Sequence, residues 1–276
     1  MPSFIPKTIL LIILCGLSPL SYSKPQADFS PQTDQFTLTP YGDNYALPFF
    51  YTTDPNQEYF SPQNPNGNDI NKANFQFQVS LKYGLASNVF TANDGIYFSY
   101  TQIANWQAYD RSAYFRDTQY QPELFWVFNQ DIDASGWNWH YTRFGFMHQS
   151  NGKGGHFERS WNRFFLETQF GNDNVDITIR PWVRLQVKGH YDYNPNIEKY
   201  MGNGDIQFRW QPGRHILKLT LRNQIESGLS RGYEALSWQF PLYKKLHGYL
   251  KLESGYGFTI SDYDFYDNAV GIGISL

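Results

Sequence analysis

The chain has a single cysteine, no apolar run long enough to make a membrane helix, and no surplus of basic side chains. The cysteine, Cys15, lies within the first 23 residues. There Lys7, an apolar run over 9–17 and a Ser-Tyr-Ser end at 21–23 read as a secretory signal peptide to be removed. That run falls short of the roughly 20 residues a membrane-spanning helix needs. Cys15 follows Leu14 rather than a small residue, which argues against a lipoprotein anchor. Without a further cysteine, an exported chain has no disulfide framework and must be held by hydrogen bonds and packing. The formal net charge is −3, and −4 once Lys7 is gone. Nucleic acid, which requires a basic footprint, is thereby excluded as a partner.

Aromatic residues are abundant: 21 Tyr, 23 Phe and 8 Trp make 19% of the sequence. The mean hydropathy is nevertheless negative. Transmembrane β-barrels combine these properties, because alternating strands average to a polar score while aromatic girdles mark the two interfaces. Over 175–187, Val175, Ile177, Ile179, Pro181, Val183, Leu185 and Val187 share one face, against Asp176, Thr178, Arg180, Trp182, Arg184 and Gln186. A period of two is a strand signal and fits no helical face. Similar segments lie at 44–51, 75–83, 96–102, 122–128, 137–147, 161–170, 206–210, 215–223, 234–240, 247–258 and 270–276, which makes twelve. The fold class expected is all-β, a twelve-stranded antiparallel transmembrane β-barrel of the outer-membrane type, since lipid offers no partner to an open sheet edge. Residues 24–276 would form this one domain, with 24–43 its N-terminal segment, loosely held over 24–35, and 52–73 a long loop without apolar period.

Short links at 171–174, 211–214 and 243–246 alternate with longer ones at 104–119, 149–159, 188–204 and 259–268. Short turns belong on the periplasmic side and long loops outside. The lumen is expected to hold Arg143, Arg163, Glu167, Arg180, Arg184, Glu234, Lys251 and Glu253, whose mixed signs favour a closed interior over an open pore.

The informative exception to the polar-in, apolar-out pattern lies over 142–170. His148 and Ser150 have the parity of Phe144 and Phe146, and Asn162 that of Phe164, Leu166 and Phe170. In a barrel this places a Ser-His-Asn set on the lipid face beside a long outer loop. Residues i and i+2 of a strand project to the same side, and Asn162 opens the following strand, within lateral reach of His148. His-x-Ser with a later Asn also arises by chance, as polar residues at a barrel mouth.

The strings His148-Gln149-Ser150-Asn151-Gly152 and Arg159-Ser160-Trp161-Asn162-Arg163 resemble the signature of the bacterial outer membrane phospholipase A family. The likeness extends to Tyr100-Thr101-Gln102 with Trp106, Phe115-Arg116 with Thr118, Lys199-Tyr200-Met201-Gly202 and Ser254-Gly255-Tyr256-Gly257, and so covers most of the mature chain. It implies an outer-leaflet serine hydrolase that cleaves sn-1 and sn-2 acyl esters of phospholipids and lysophospholipids. Ser150 would be the nucleophile, His148 the general base and Asn162 the residue that orients the imidazole. An Asn in that third place adds no charge to a surface where an ionised carboxylate would be costly.

The same resemblance implies a calcium ion at the catalytic loop of a calcium-promoted homodimer. Its ligands would be the main-chain carbonyl of Lys153, the side chain of Glu158 where the family commonly has Ser, and Ser112 supplied by the partner. Gly155 and Gln149 both stand where the family carries acidic residues. Gln102, on the lipid face, would be a dimer contact, Trp106 a girdle residue and His156 a solvated loop residue. The rival readings are a passive narrow-pore or structural barrel without catalysis, and a lipid A deacylase, whose smaller barrels suit twelve strands poorly. The chain ends in Leu276, where outer-membrane barrels commonly end in an aromatic residue.

Overall fold

The computed structural model describes residues 29–186 and 191–276. The signal peptide expected at 1–23, and the start of the segment expected at 24–43, lie outside the described residues. Period-two sequence becomes strand throughout: β1 (Leu38–Pro40), β2 (Tyr45–Thr52), β3 (Ala73–Ser87), β4 (Asp94–Trp106), β5 (Phe115–Ala134), β6 (Trp137–Ser150) and β7 (Ser160–Gly171). They are followed by β8 (Val175–Leu185), β9 (Gly204–Trp210), β10 (Ile216–Arg222), β11 (Tyr233–Tyr243), β12 (Leu246–Tyr256) and β13 (Tyr266–Ser275). From β2 to β13 each strand pairs antiparallel with the next, and β13 returns to β2 through Ala269↔Thr52 to Ser275↔Tyr45. The ring is therefore a closed barrel of twelve positions. The three-residue β1 makes no thirteenth, because it pairs β3 at 81–83, beyond the point where β2 leaves it at Gln78.

The wall is apolar outside and ionic inside. Phe164 is 51% and Val183 62% exposed, whereas Arg143 and Glu123 are each 2% exposed. A continuous apolar exterior of this kind is stable in a bilayer and not in water. Inside, Arg143 donates to both carboxylate oxygens of Glu167 at 2.6 and 2.7 Å and to Glu123 at 3.0 Å. Arg180 donates to Asp205 at 2.6 Å, and Tyr141 donates to Glu167 at 2.8 Å. Glu234 is the exception to the expected lumen set. It is exposed and shares the parity of Leu236 and Trp238, because Tyr233, opposite Gly255, is the residue that turns inward and donates to Glu253.

From Phe29 onward the N-terminal segment is packed rather than loose. Phe29 is 2% exposed, and its ring meets Tyr97, Phe125 and Tyr141 at 5.0–5.6 Å. A short helix, α1 (Pro31–Asp34), then brings the Asp34 carboxylate 2.6 Å from Lys82 Nζ. Inside the barrel this segment supplies counter-charge and aromatic surface that the wall alone does not provide. A mixed-charge cavity of about 200 Å³, lined in part by Asp43, Gln76, Lys218, Arg222 and Glu253, remains beside it.

The connector lengths agree with the expected orientation. Turns at 135–136, 172–174, 211–215 and 244–245 share one end, and long loops share the other. The outer loops fold inward. The loop at 53–72 contains α2 (Gln57–Phe60) and buries Phe60 and Ile70, although no apolar period announces them. Ile197, Met201 and Ile260 bury themselves over the same mouth.

Candidate functional site

β6 and β7 carry the site because their register does. His148 lies opposite Asn162, and Ser150 opposite Ser160 on one side and Tyr120 of β5 on the other. Below them, Phe146 faces Phe164 and Leu124 on the outer wall, all three exposed. The trio thus stands at the outer-loop end of an apolar wall, half-buried, on the face the parity indicates.

His148 Nδ1 is 2.8 Å from Asn162 Oδ1. An amide oxygen only accepts, so Nδ1 carries the proton and Nε2 keeps a free lone pair. Ser150, two residues on, projects to the same side. A hydroxyl on the same strand face as an imidazole of fixed tautomer has the elements of an activated nucleophile. Gly152 adds a group that strand periodicity could not reveal: its main-chain N–H donates to Ser150 Oγ at 3.0 Å. Gly152 has φ +66°, and a Cβ there would lie 2.7 Å from the Tyr120 ring. Gly152→Ala is therefore expected to cost about 1–3 kcal/mol locally. Limited trypsin digestion should show the effect as faster cleavage after Lys153 in an otherwise intact barrel, and an unchanged cleavage rate would contradict it.

The loop that follows, 151–159, is held from behind. Asn151 is 3% exposed, and the two N–H groups of its amide are shared among Phe157 O at 2.8 Å, Ser261 Oγ at 3.0 Å and Tyr59 Oη at 3.1 Å. Its amide oxygen accepts from the N–H groups of Arg159 at 3.0 Å and Lys153 at 3.2 Å. Ser261 donates in turn to Asp117, and Tyr59 donates to Phe157 O at 2.6 Å. Burial pushes the Tyr59 hydroxyl up to about 12, so it stays a donor at neutral pH. Burial, reinforced by the nearby Asp117 charge, pushes the Asp262 carboxyl up to about 7 against a hydrogen bond from Thr259.

The residues expected at a metal lie on two neighbouring outer loops. Lys153 and Glu158 belong to the 151–159 loop, and Ser112 sits exposed on the 107–114 loop, its carbonyl accepting from Asn66 at 2.9 Å. Among the described residues there is no cluster of three or more His, Cys, Asp or Glu side chains that could hold a metal. The Lys153 side chain turns away from any such site, donating to Gln63 at 2.5 Å and to Arg116 O at 3.0 Å, which leaves its main-chain carbonyl as the relevant donor. Gln149 points into the lumen, where it accepts from Trp161 Nε1 and Arg163 at 2.9 Å each. Gln102 accepts from Tyr100 at 2.9 Å on the outer wall, in one row with Tyr120 and Ser150. Trp106 stacks with Phe115 at 6.0 Å, as a girdle residue would.

A family model described as phospholipase A1 matches residues 23–276. The phospholipase A1 of Proteus vulgaris is 35% identical over 243 residues, which are 87% of this chain and 82% of that protein. A crystal structure of a Salmonella typhi outer membrane phospholipase dimer with bound calcium superposes with TM-score 0.81 at 32% identity, covering 87% of this chain and 92% of that one. An Escherichia coli outer membrane phospholipase A, solved with an active-site asparagine replaced by alanine, superposes equally well at 31% identity over the same shares.

Proposed function

Since this chain belongs to the phospholipase A1 family and is a phospholipase of the bacterial outer membrane, we propose that Ser150, His148 and Asn162 are its catalytic residues, acting on acyl esters of phospholipids and lysophospholipids in the outer leaflet. The observation that carries this is the 2.8 Å bond between His148 Nδ1 and Asn162 Oδ1 on the lipid side of the wall, two residues from Ser150. Ser150 Oγ attacks the ester carbonyl while His148 Nε2 takes its proton. The tetrahedral adduct collapses, and the imidazolium returns that proton to the departing alcohol oxygen. Water, deprotonated by the same imidazole, then splits the acyl-enzyme to release the fatty acid. Gly152 N–H, already directed at Ser150 Oγ, is the better-placed donor to the developing oxyanion. The sequence also offers the Ser150 main-chain N–H as an oxyanion donor, but Ser150 lies within the sheet, with strand partners on both sides. Asn162 stabilises the imidazolium without placing a carboxylate against lipid.

Calcium fits the donors present: a carboxylate at Glu158, a main-chain carbonyl at Lys153 and a hydroxyl at Ser112 are all hard oxygen ligands. Among the described residues, one subunit offers no cluster of three acidic or imidazole groups to enclose the ion. A homodimer in which the partner contributes its 107–114 loop completes the set, in keeping with the calcium-bound dimer of the Salmonella typhi protein. When bound, the ion would supply positive charge beside the developing oxyanion. The test is calcium titration of phospholipid hydrolysis in detergent. Chelation is expected to abolish turnover reversibly, and Glu158→Ala to raise the calcium needed for half-activation about tenfold, the loss of one charged ligand. Hydrolysis indifferent to chelation would overturn the metal assignment.

A further inference from the structure

We propose that Asn151 is a positioning residue for catalysis, a clasp through which the outer loops set the direction of the Gly152 N–H and the spacing of the two ends of the catalytic loop. This rests on the reading of Ser150 as nucleophile. Asn151 makes no contact with the reacting atoms in that reading. Its side chain points inward, opposite to Ser150, and is buried.

Its hydrogen bonds go where a clasp needs them. The amide oxygen receives Lys153 N–H at the start of the loop and Arg159 N–H at its end, so one atom fixes both. The main-chain N–H of Asn151 adds a bond to Arg159 O at 3.0 Å. The amide nitrogen reaches Phe157 O inside the loop, and Tyr59 and Ser261 outside it. Tyr59 and Ser261 stand 92 and 110 residues away in sequence, on two other outer loops, and Ser261 is anchored in turn to Asp117 of β5. The Asn151 amide is thus used on both its donor and acceptor sides. An isolated loop at positive φ would sample many directions for the 152 N–H; these bonds leave one.

The geometry also indicates which substitutions reproduce the clasp. Asp is isosteric with Asn but cannot donate to Phe157 O, Tyr59 or Ser261 when ionised, and its charge would lie near Asp117. Ala keeps none of the side-chain bonds. Ser261→Ala cuts only the outermost link and leaves the bonds within the loop.

The test uses the full-length protein refolded in detergent with calcium, scoring folded barrel by heat-modifiable electrophoretic mobility. Turnover per folded molecule and acylation of Ser150 by a fluorophosphonate are then measured, with Ser150→Ala as reference. Asn151→Ala and Asn151→Asp are expected to lower kcat about 100-fold, the effect of a lost oxyanion donor, with KM within about threefold. Ser261→Ala is expected to lower kcat by about fivefold, a lesser version of the same effect. Fluorophosphonate labelling should slow in the same order. Turnover per folded molecule within about threefold of wild type for Asn151→Ala, or a change in KM alone, would overturn the proposal. If Asn151→Ala fails to fold, Ser261→Ala decides, and an unchanged kcat there overturns it. Inactive Ser150→Ala beside fully active Asn151→Ala would refute the clasp alone, whereas active Ser150→Ala would refute the catalytic reading beneath it.

Discussion

Ser150→Ala is expected to lower phospholipid hydrolysis by at least about 10⁴-fold while leaving the barrel folded. The size of the effect follows from the chemistry: removal of the hydroxyl abolishes the acyl-enzyme route, and only oxyanion stabilisation and substrate binding remain. The substitution should be benign for folding, since the Oγ is half-buried, makes one bond to the Gly152 N–H and faces the outer wall. His148→Ala should fall nearly as far, because the same route needs its base. Asn162→Ala should fall less, since the ring keeps its position in the strand and loses only the 2.8 Å bond that fixes its tautomer. The measurement is release of fatty acid per folded molecule at saturating calcium. An order of losses in which Asn162→Ala exceeds Ser150→Ala would contradict the assigned roles.

Arg143→Met is expected to destabilise the barrel by about 3–5 kcal/mol, because it leaves two buried carboxylates without their shared cation. Glu123 and Glu167 both bond to Arg143, and all three residues are at least 96% buried. Water reaches them poorly, the aromatic rings of Phe125 and Phe165 flank the guanidinium at 4.7 and 4.9 Å, and the next cation, Arg180, is 3.8 Å from Glu167 and bonded to Asp205. Reversible urea unfolding in lipid or detergent gives the value from the shift in midpoint. Glu167→Leu added to Arg143→Met should recover part of the loss, since a matched apolar pair removes one stranded charge along with its partner. A single substitution costing under about 1 kcal/mol would mean the lumen is wet enough to solvate those carboxylates, and the filled interior described above would be wrong.

What could be read from the sequence follows from what is periodic. Twelve strands, their antiparallel order and the outward parity of His148, Ser150 and Asn162 were all legible because a strand repeats every two residues and the lipid side must be apolar. Where structure depends on contacts without a period, the sequence was silent. Phe29 and Asp34 insert into the lumen from a segment with no alternation, and the presence of Lys82, Tyr97, Phe125 and Tyr141 inside the barrel explains why they stay. Glu234, expected in the lumen, faces outward with the parity of Leu236 and Trp238. Its charge suggested the interior, while the strand end near solvent tolerates it outside. Within the site, Gly152 could have been suspected from the Ser150-Asn151-Gly152 turn, but Asn151 could not: its partners Tyr59 and Ser261 come from loops that fold together only after the barrel closes.

The most direct test of the central claim is to treat the calcium-loaded protein in detergent with a fluorophosphonate and locate the adduct by peptide mass spectrometry. A single modification on Ser150 is expected, formed in step with loss of phospholipase activity and suppressed in His148→Ala. Activity lost with the adduct on another residue, or Ser150 left unmodified while the enzyme is inhibited, would contradict it.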